Sequence, residues 1–551
     1  MAGRRHPDRG LVAVSDLLWS ALAGGAQAAS LALPGSGQPV WWLQCLSMVM
    51  LAALLQRPQG GWHRAALLGF VFAWAWLGGT FWWLFISLHT YGGLAAVLAV
   101  AAVAGLAAFL ALYYAAASAV FCRLVPMNKA LAAIIFAALW MLADLARGTW
   151  FTGFPWGAGG YAHVEGPLSA LPRYIGVYGT GAVSAGLAMA LVQLQWRDAR
   201  RAGPWLAALL LAALGVGATL DRHCAVQLCH TPSQAPAPPL GMALLQGNIP
   251  QDEKFEQGSG VPLALRWYAE QLKAETASLV VAPETAIPLL PQQLIPGYLE
   301  GLQARYTQGP QAALVGIPLG SERQGYTNSV VGWRPSEVPA AAAPQYVYNK
   351  HHLVPFGEFI PPLFKWFTEM LNIPLGDFNR GTVGQPSFAW AGQRIAPNIC
   401  YEDLFGEELA ARFVNPAEAP TILVNFSNIG WFGNTLAIDQ HLNISRMRAL
   451  ELERPMVRAT NTGATAIIDH RGVVTHLLER HTRGVLRGEV HGRGAGVSVG
   501  PAITPFAWWA SRWGLAPLWG LALVVVLGAW LARARSAQSS KRRSPLPFGM
   551  E

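Results

Sequence analysis

The stretch Ala396-Pro397-Asn398-Ile399-Cys400-Tyr401-Glu402-Asp403 places one thiol just ahead of acidic residues, after an apolar run from Phe388 to Ile395. A cysteine at the end of a strand, with carboxylates beside it, suits a nucleophile at a pocket mouth. A lone cysteine is more often a small buried hydrophobe, so the local pattern does not decide by itself. Two further stretches bear on it: Val280-Val281-Ala282-Pro283-Glu284 and Tyr348-Asn349-Lys350-His351-His352. They add a carboxylate and an amine, each just after a β-like apolar run. An ordinary thiol is mostly protonated near neutrality, and only the thiolate attacks well. Glu284 can take that proton, and Lys350 can hold positive charge against the thiolate or a tetrahedral oxyanion. The plainer readings are a turn-capping Glu284 and a solvated Lys350. His351 and His352 are adjacent, unlike the spaced pair of a helical metal site, so neither is read as a ligand and no metal is expected.

The elements that must position this trio are of two kinds. The chain has 551 residues, 53% of them hydrophobic and only 13% charged, with 23 Trp. Such a low charged fraction points to extensive contact with lipid, and the length to at least two domains. Apolar runs recur near 14–34, 39–56, 65–88, 92–122, 130–146, 175–195 and 204–220, and again near 514–532. At 1.5 Å per helical residue these give about eight spans of a ~30 Å hydrocarbon layer. The formal charge of +9 collects between spans: at Arg4, Arg5 and Arg9, Arg57 and Arg64, Arg123 and Lys129, Arg197 to Arg201, and Arg533 to Arg543. Alternate loops hold few bases, so the positive-inside rule puts both termini in the cytoplasm and the segment between spans seven and eight outside. No nucleic-acid motif is visible. Cys45 and Cys122 fall in spans. Cys224 and Cys229 are spaced for a disulfide, a metal or neither, and Cys400 is left unpartnered.

The expected organisation is a cytoplasmic N-terminus (1–13), a seven-helix membrane domain (14–221), a Pro- and Ala-rich linker (222–239), a soluble α/β domain (240–493), an interfacial connector (494–513), an eighth helix (514–532) and a basic cytoplasmic tail (533–551). Within 240–493, strands are expected at 242–245, 278–282, 312–317, 329–333, 346–348, 422–425, 464–468, 473–477 and 485–490, with a helix opening at Pro262. Many strands and few helices favour a layered α/β sandwich over a parallel Rossmann sheet. Phe506, Trp508, Trp509 and Trp513 read as an aromatic belt. Thr152-Gly153-Phe154-Pro155-Trp156-Gly157 reads first as an interfacial loop with anchoring rings, and second as part of a lipid-facing access route.

Pro283-Glu284, the Lys350 segment and Cys400-Tyr401-Glu402 resemble the Glu-Lys-Cys triad of the nitrilase superfamily. The strings Tyr348 to Glu358, Arg446 to Pro455 and Arg458 to Thr465 resemble the apolipoprotein N-acyltransferase family, and the likeness extends over nearly the whole chain. It implies a polytopic helical membrane domain carrying a nitrilase-like αββα domain on the periplasmic face of a bacterial inner membrane. It further implies that Glu284 is the general base, Lys350 the transition-state lysine and Cys400 the nucleophile. Glu358, Tyr401 and Glu402 would support catalysis, and Phe255, Trp431 and Phe432 would bind substrate. The implied reaction moves an acyl chain from a phospholipid, phosphatidylethanolamine being the expected donor, through a Cys400 thioester. The acceptor is the N-terminal amine of a diacylglyceryl-modified apolipoprotein. No cofactor is implied, and a monomer is expected. The chain departs from the family pattern at Phe255, where Trp is usual, and at Ile429-Gly430, where Asp-Ala is usual. The alternatives are a membrane-tethered amidase using the same triad with water, and a transporter with an outer ligand-binding domain. Few ionisable residues lie in the spans, Asp144 being one, which disfavours transport.

Overall fold

The computed structural model describes residues 12–57, 61–124, 129–193, 238–337, 345–360, 378–497 and 502–542. The seventh expected span, the Cys224 and Cys229 pair and nearly all of the expected linker lie outside these residues. The membrane portion comprises α1 (Val14–Leu31), α2 (Trp41–Leu55), α3 (Gly61–Phe81), α4 (Ala96–Leu124), α5 (Lys129–Thr149), α6 (Pro172–Gln193) and, at the far end of the chain, α12 (Ala516–Arg542). Among the described residues five helices are long and apolar enough to cross a membrane: α3, α4, α5, α6 and α12. α2 is shorter. α1 turns Asp16, Ser20, Gln27 and Ser30 into the bundle, and Asp16 pairs there with Arg64 at 2.7 Å. The span expected at 65–88 ends early. α3 stops at Phe81, and the chain continues through a π-helical turn at Ser87–Tyr91.

The soluble part is two six-stranded sheets face to face. One runs β12 (Gly484–Val490), β1 (Leu240–Gln246), β2 (Leu279–Ala282), β3 (Ala312–Ser321), β4 (Gly325–Trp333), β5 (Tyr346–Asn349). The other runs β11 (Val474–Leu477), β10 (Ala466–Ile468), β9 (Met456–Thr460), β8 (Ile422–Ser427), β7 (Gln393–Ile399), β6 (Phe388–Trp390). β1, β2 and β3 are mutually parallel, as are β7, β8 and β9. Alternate residues such as Leu244, Val281, Leu314, Ile399, Val424 and Val457 fill the space between the sheets. The other residues of the first sheet pack on α7 (Gly260–Ala274) and α8 (Tyr298–Thr307). Those of the second pack on α9 (Gly406–Ala410), α10 (Leu436–Leu452) and α11 (Pro505–Trp513). This is the expected αββα sandwich, with two local corrections, the first being β9, a strand where none was expected. The second is that the apolar run 388–395 is not a single strand but a hairpin, reversed at Ala391 and Gly392, which both have positive φ.

α10 fastens the two parts together. It mixes apolar and polar residues around its circumference and is largely buried, its polar side chains satisfying polar groups of the membrane helices. The Gln440 carbonyl accepts from the indoles of Trp83 (3.0 Å) and Trp156 (2.8 Å), while its amide donates to the Thr80 carbonyl at 2.9 Å. Asn443 donates to the carbonyls of Leu31 and Gly37. Glu451 accepts from the Val177 amide at 2.7 Å, just after the break that Gly176 (φ 66°) makes in α6. A Cβ at Gly176 would stand 2.6 Å from the Phe506 ring, so only glycine lets α11 approach. The expected aromatic belt is therefore split: Phe506 is buried and Trp509 donates to the Tyr174 carbonyl, while Trp513 stays exposed. The 152–157 loop is buried or half-buried throughout, with Trp156 against α10, and the exposed rings are those of Trp150 and Phe151 just before it.

Gln440→Leu keeps the volume but strands two indole N–H groups and one carbonyl. It is expected to destabilise the protein by about 3 kcal/mol. The check is the thermal unfolding midpoint in detergent, which should fall by several degrees.

Candidate functional site

Strand ends build the site. β2 delivers Glu284 two residues past its last hydrogen bond, β5 delivers Lys350, and β7 delivers Cys400 as the first residue of a 3-10 turn, Cys400–Leu404. Cys400 has φ 52°, the left-handed region that non-glycine residues avoid. Such strain persists only where the surroundings fix it. Here the Cys400 carbonyl accepts from Asn425 Nδ2 (3.1 Å) and His441 Nε2 (3.1 Å). His441 is itself fixed, donating to Asp403 (2.9 Å) and accepting from Arg458 (3.0 Å) at Nδ1.

Glu284 and Lys350 pair, and Cys400 lies within electrostatic reach of both. Lys350 Nζ lies 3.5 Å from Glu284 Oε1 and 2.8 Å from Glu358. Asn328 Nδ2 bridges the two carboxylates, donating to Glu284 at 2.7 Å and Glu358 at 2.8 Å. The Asn428 amide holds the other Glu284 oxygen at 2.8 Å. Ser427 Oγ donates to Cys400 Sγ at 3.5 Å. Lys350 is 1% exposed and Glu284 7%. Burial alone would drive Lys350 towards the neutral amine. Glu358 and Glu284 outweigh it and hold the ammonium above the usual lysine range. The thiol goes the other way. Burial and then the Glu284 charge push Cys400 up to about 12, against the pull of Lys350. The resting nucleophile is therefore a thiol beside a base.

Glu402 does not face the thiol. It accepts from the Ile399 amide (2.6 Å), the Tyr348 hydroxyl (2.7 Å) and the amides of His351 (2.6 Å) and His352 (3.2 Å). It thus ties the turn bearing Cys400 to the loop bearing Lys350 and sets their spacing. Tyr401 points towards the membrane part and donates to the Gly153 carbonyl at 3.0 Å. Phe255, Trp431 and Phe432 stand outside the hydrogen-bonded cluster. Phe255 is half-buried next to Lys254; Trp431 meets Tyr91, and Phe432 meets Trp83 and Trp156. The residues that sequence reasoning missed are Asn328, Asn425, Asn428, Ser427, His441 and Lys254. Asn425 carried a usable signal, as an amide inside the apolar run Ile422-Leu423-Val424-Asn425-Phe426. Lys254 carried none.

Residues 25–190 match the apolipoprotein N-acyltransferase N-terminal domain, and residues 241–494 match the carbon-nitrogen hydrolase family. The apolipoprotein N-acyltransferase of Verminephrobacter eiseniae is 66% identical over 504 residues, which cover 91% of this chain and 93% of that one. The chain belongs to the apolipoprotein N-acyltransferase family. The apolipoprotein N-acyltransferase of Ralstonia nicotianae is 43% identical over 504 residues, 90% of each chain. Among solved structures, a carbon-nitrogen hydrolase from Helicobacter pylori G27 aligns with 15% identity and a TM-score of 0.33, over 46% of this chain and 88% of that chain. A member of this family is a membrane enzyme, and the strand-end cluster around Cys400 is its candidate active site.

A thiol this far from its ordinary range has a direct signature. The thiolate absorbance difference between the wild type and Cys400→Ser should show no step up to about pH 9. A step near neutrality would mean a resting thiolate.

Proposed function

We propose that this protein transfers a fatty acyl chain from a membrane phospholipid to the N-terminal amine of diacylglyceryl-modified apolipoproteins. In this reading the chain spans a bacterial inner membrane about eight times, within the domain limits given above, with residues 240–493 facing the periplasm. The observation that carries the reading is a half-buried thiol within electrostatic reach of a buried carboxylate–ammonium pair at strand ends. Tyr401, directly beside the thiol, touches a loop of the membrane bundle.

Glu284 takes the Cys400 proton as Sγ attacks the ester carbonyl of the phospholipid. Lys350 faces the developing oxyanion, and Glu358 keeps it charged and aimed. The C–O bond then breaks, Glu284 returns the proton to the leaving alcohol, and a lysophospholipid departs. The thioester left on Cys400 is attacked by the lipoprotein amine. A C–N bond forms, the C–S bond breaks, and Glu284 passes a proton from nitrogen to sulfur. This divides one hard acyl transfer into two easier ones. Phe255, Trp431 and Phe432 supply apolar surface for the lipid chains. Phosphatidylethanolamine is the donor of this reading, and the protein works as a monomer without a cofactor. Because both substrates are lipid-anchored, an active site resting on the bundle meets them without extracting either.

Intact mass after incubation with phosphatidylethanolamine tests the reading. The wild type should gain one hydroxylamine-sensitive acyl group, Cys400→Ala none, and a diacylglyceryl peptide should remove it. An adduct cleared by water as fast as by the peptide would favour an amidase.

A further inference from the structure

The site contains a second buried lysine in the opposite situation from Lys350. Lys254 is 1% exposed, as Lys350 is. Lys350 has two carboxylates within ion-pair distance, whereas Lys254 has none among the described residues. Its Nζ donates to the main-chain carbonyl of Glu284 at 3.1 Å, and among the described residues its one other polar or ring neighbour is the Phe255 ring, 5.9 Å away. A buried ammonium needs a counter-charge and acceptors for all three N–H groups. One neutral carbonyl does not meet that need, but it is a smaller shortfall for a neutral amine, which has two N–H groups, no charge to balance and a free lone pair.

We infer that Lys254 is the proton acceptor of the second half-reaction, taking one proton from the lipoprotein's α-ammonium so that a free amine reaches the thioester. This rests on the acyl-transfer reading above and deepens it. The α-ammonium carries one proton more than Glu284 can handle. To become an amide nitrogen bonded to the acyl carbon it must lose two, and Glu284 accounts only for the one that passes to sulfur. Lys254 Nζ takes the first, before the C–N bond forms, and releases it to water after the product leaves. The charged groups around it fit that role. Glu284 is the charged group nearest to it in effect, Cys400 adds charge only when it ionises, and Lys350 is paired with Glu284. Asp252, Glu253 and Glu256 of its own turn lie towards solvent. Burial pulls Lys254 down to about 7, with Glu284 and Cys400 opposing. It is therefore mostly neutral above that pH and protonated, unable to accept, below it. In the first half-reaction the nucleophile is the Cys400 thiol, whose one proton goes to Glu284, so no attacking ammonium has to be deprotonated and Lys254 has no proton to take.

The test uses full-length protein already loaded with an acyl group, the thioester being cleared by a diacylglyceryl peptide or by hydroxylamine, which is largely uncharged at neutral pH. In Lys254→Met the ratio of peptide rate to hydroxylamine rate at neutral pH should fall about 100-fold, the scale of a lost general base. In the wild type the peptide rate should break near pH 7 as Lys254 titrates. In Lys254→Met the break should move up to the peptide amine's own value, about 8. Equal slowing with both nucleophiles would make Lys254 a structural residue and overturn the inference, as would an unchanged ratio. If Lys254→Met cannot be loaded, the wild type decides: a break at the amine's own value instead of Lys254's overturns the inference. Failure of the wild type to load at all would instead reject the acyl-transfer reading.

Discussion

One ammonium shared by two carboxylates organises the candidate site. Lys350 sits between Glu284 and Glu358, and Asn328 reaches both acids from the neighbouring strand. Two carboxylates this close in a dry place would repel, and one would take up a proton. The lysine between them prevents it and remains charged itself, although burial acts against it. Removing one partner from such a buried set costs on the order of 3–5 kcal/mol, because it strands a charge. The thiol shares the dry pocket but not the charge. It stays protonated until a substrate carbonyl arrives and Glu284 can take the proton in the same event.

Holding that arrangement requires both halves of the molecule. The strained Cys400 backbone is gripped through its carbonyl by His441 of α10, and the same helix is bolted to the membrane helices through Gln440, Asn443 and Glu451. The His441 ring lies 5.5 Å from that of Trp156, in the loop whose Gly153 carbonyl receives the Tyr401 hydroxyl. The membrane bundle is therefore part of the scaffold of the nucleophile and not only an anchor. A site for two lipid-anchored substrates benefits from this, since the thiol is fixed relative to the surface from which both arrive.

The sequence made the sandwich legible because sheet strands buried on both faces appear as short apolar runs, and most of these fell within a residue or two of the observed strands. Glu284, Lys350 and Cys400 were visible as reactive types just past such runs, and the structure brings them into one cluster. The partners were not visible. Asn328, Asn428 and Lys254 come from separate elements, and only folding places them around Glu284. Glu402, grouped with the nucleophile by position in the chain, turns inward to staple two loops, because a 3-10 turn rotates each successive side chain away from the last. α10 was opaque for another reason. Its polar residues carry no sign in the sequence of what they meet, yet they are buried against the carbonyls and indoles of the membrane helices. The 152–157 loop has the composition of an interfacial anchor, yet it is packed inside, with its Gly153 carbonyl holding Tyr401 and its Trp156 indole holding Gln440.

The central claim is that Glu284 takes the proton from a neutral Cys400 as the acyl group transfers. Its most direct test is the single-turnover loading rate of Cys400 from phosphatidylethanolamine in Glu284→Gln, which keeps the shape and removes the base. The account predicts a loss of about 100-fold or more, with the thiol still titrating far above neutrality. Loading within about threefold of the wild type would contradict it and assign the proton to another group.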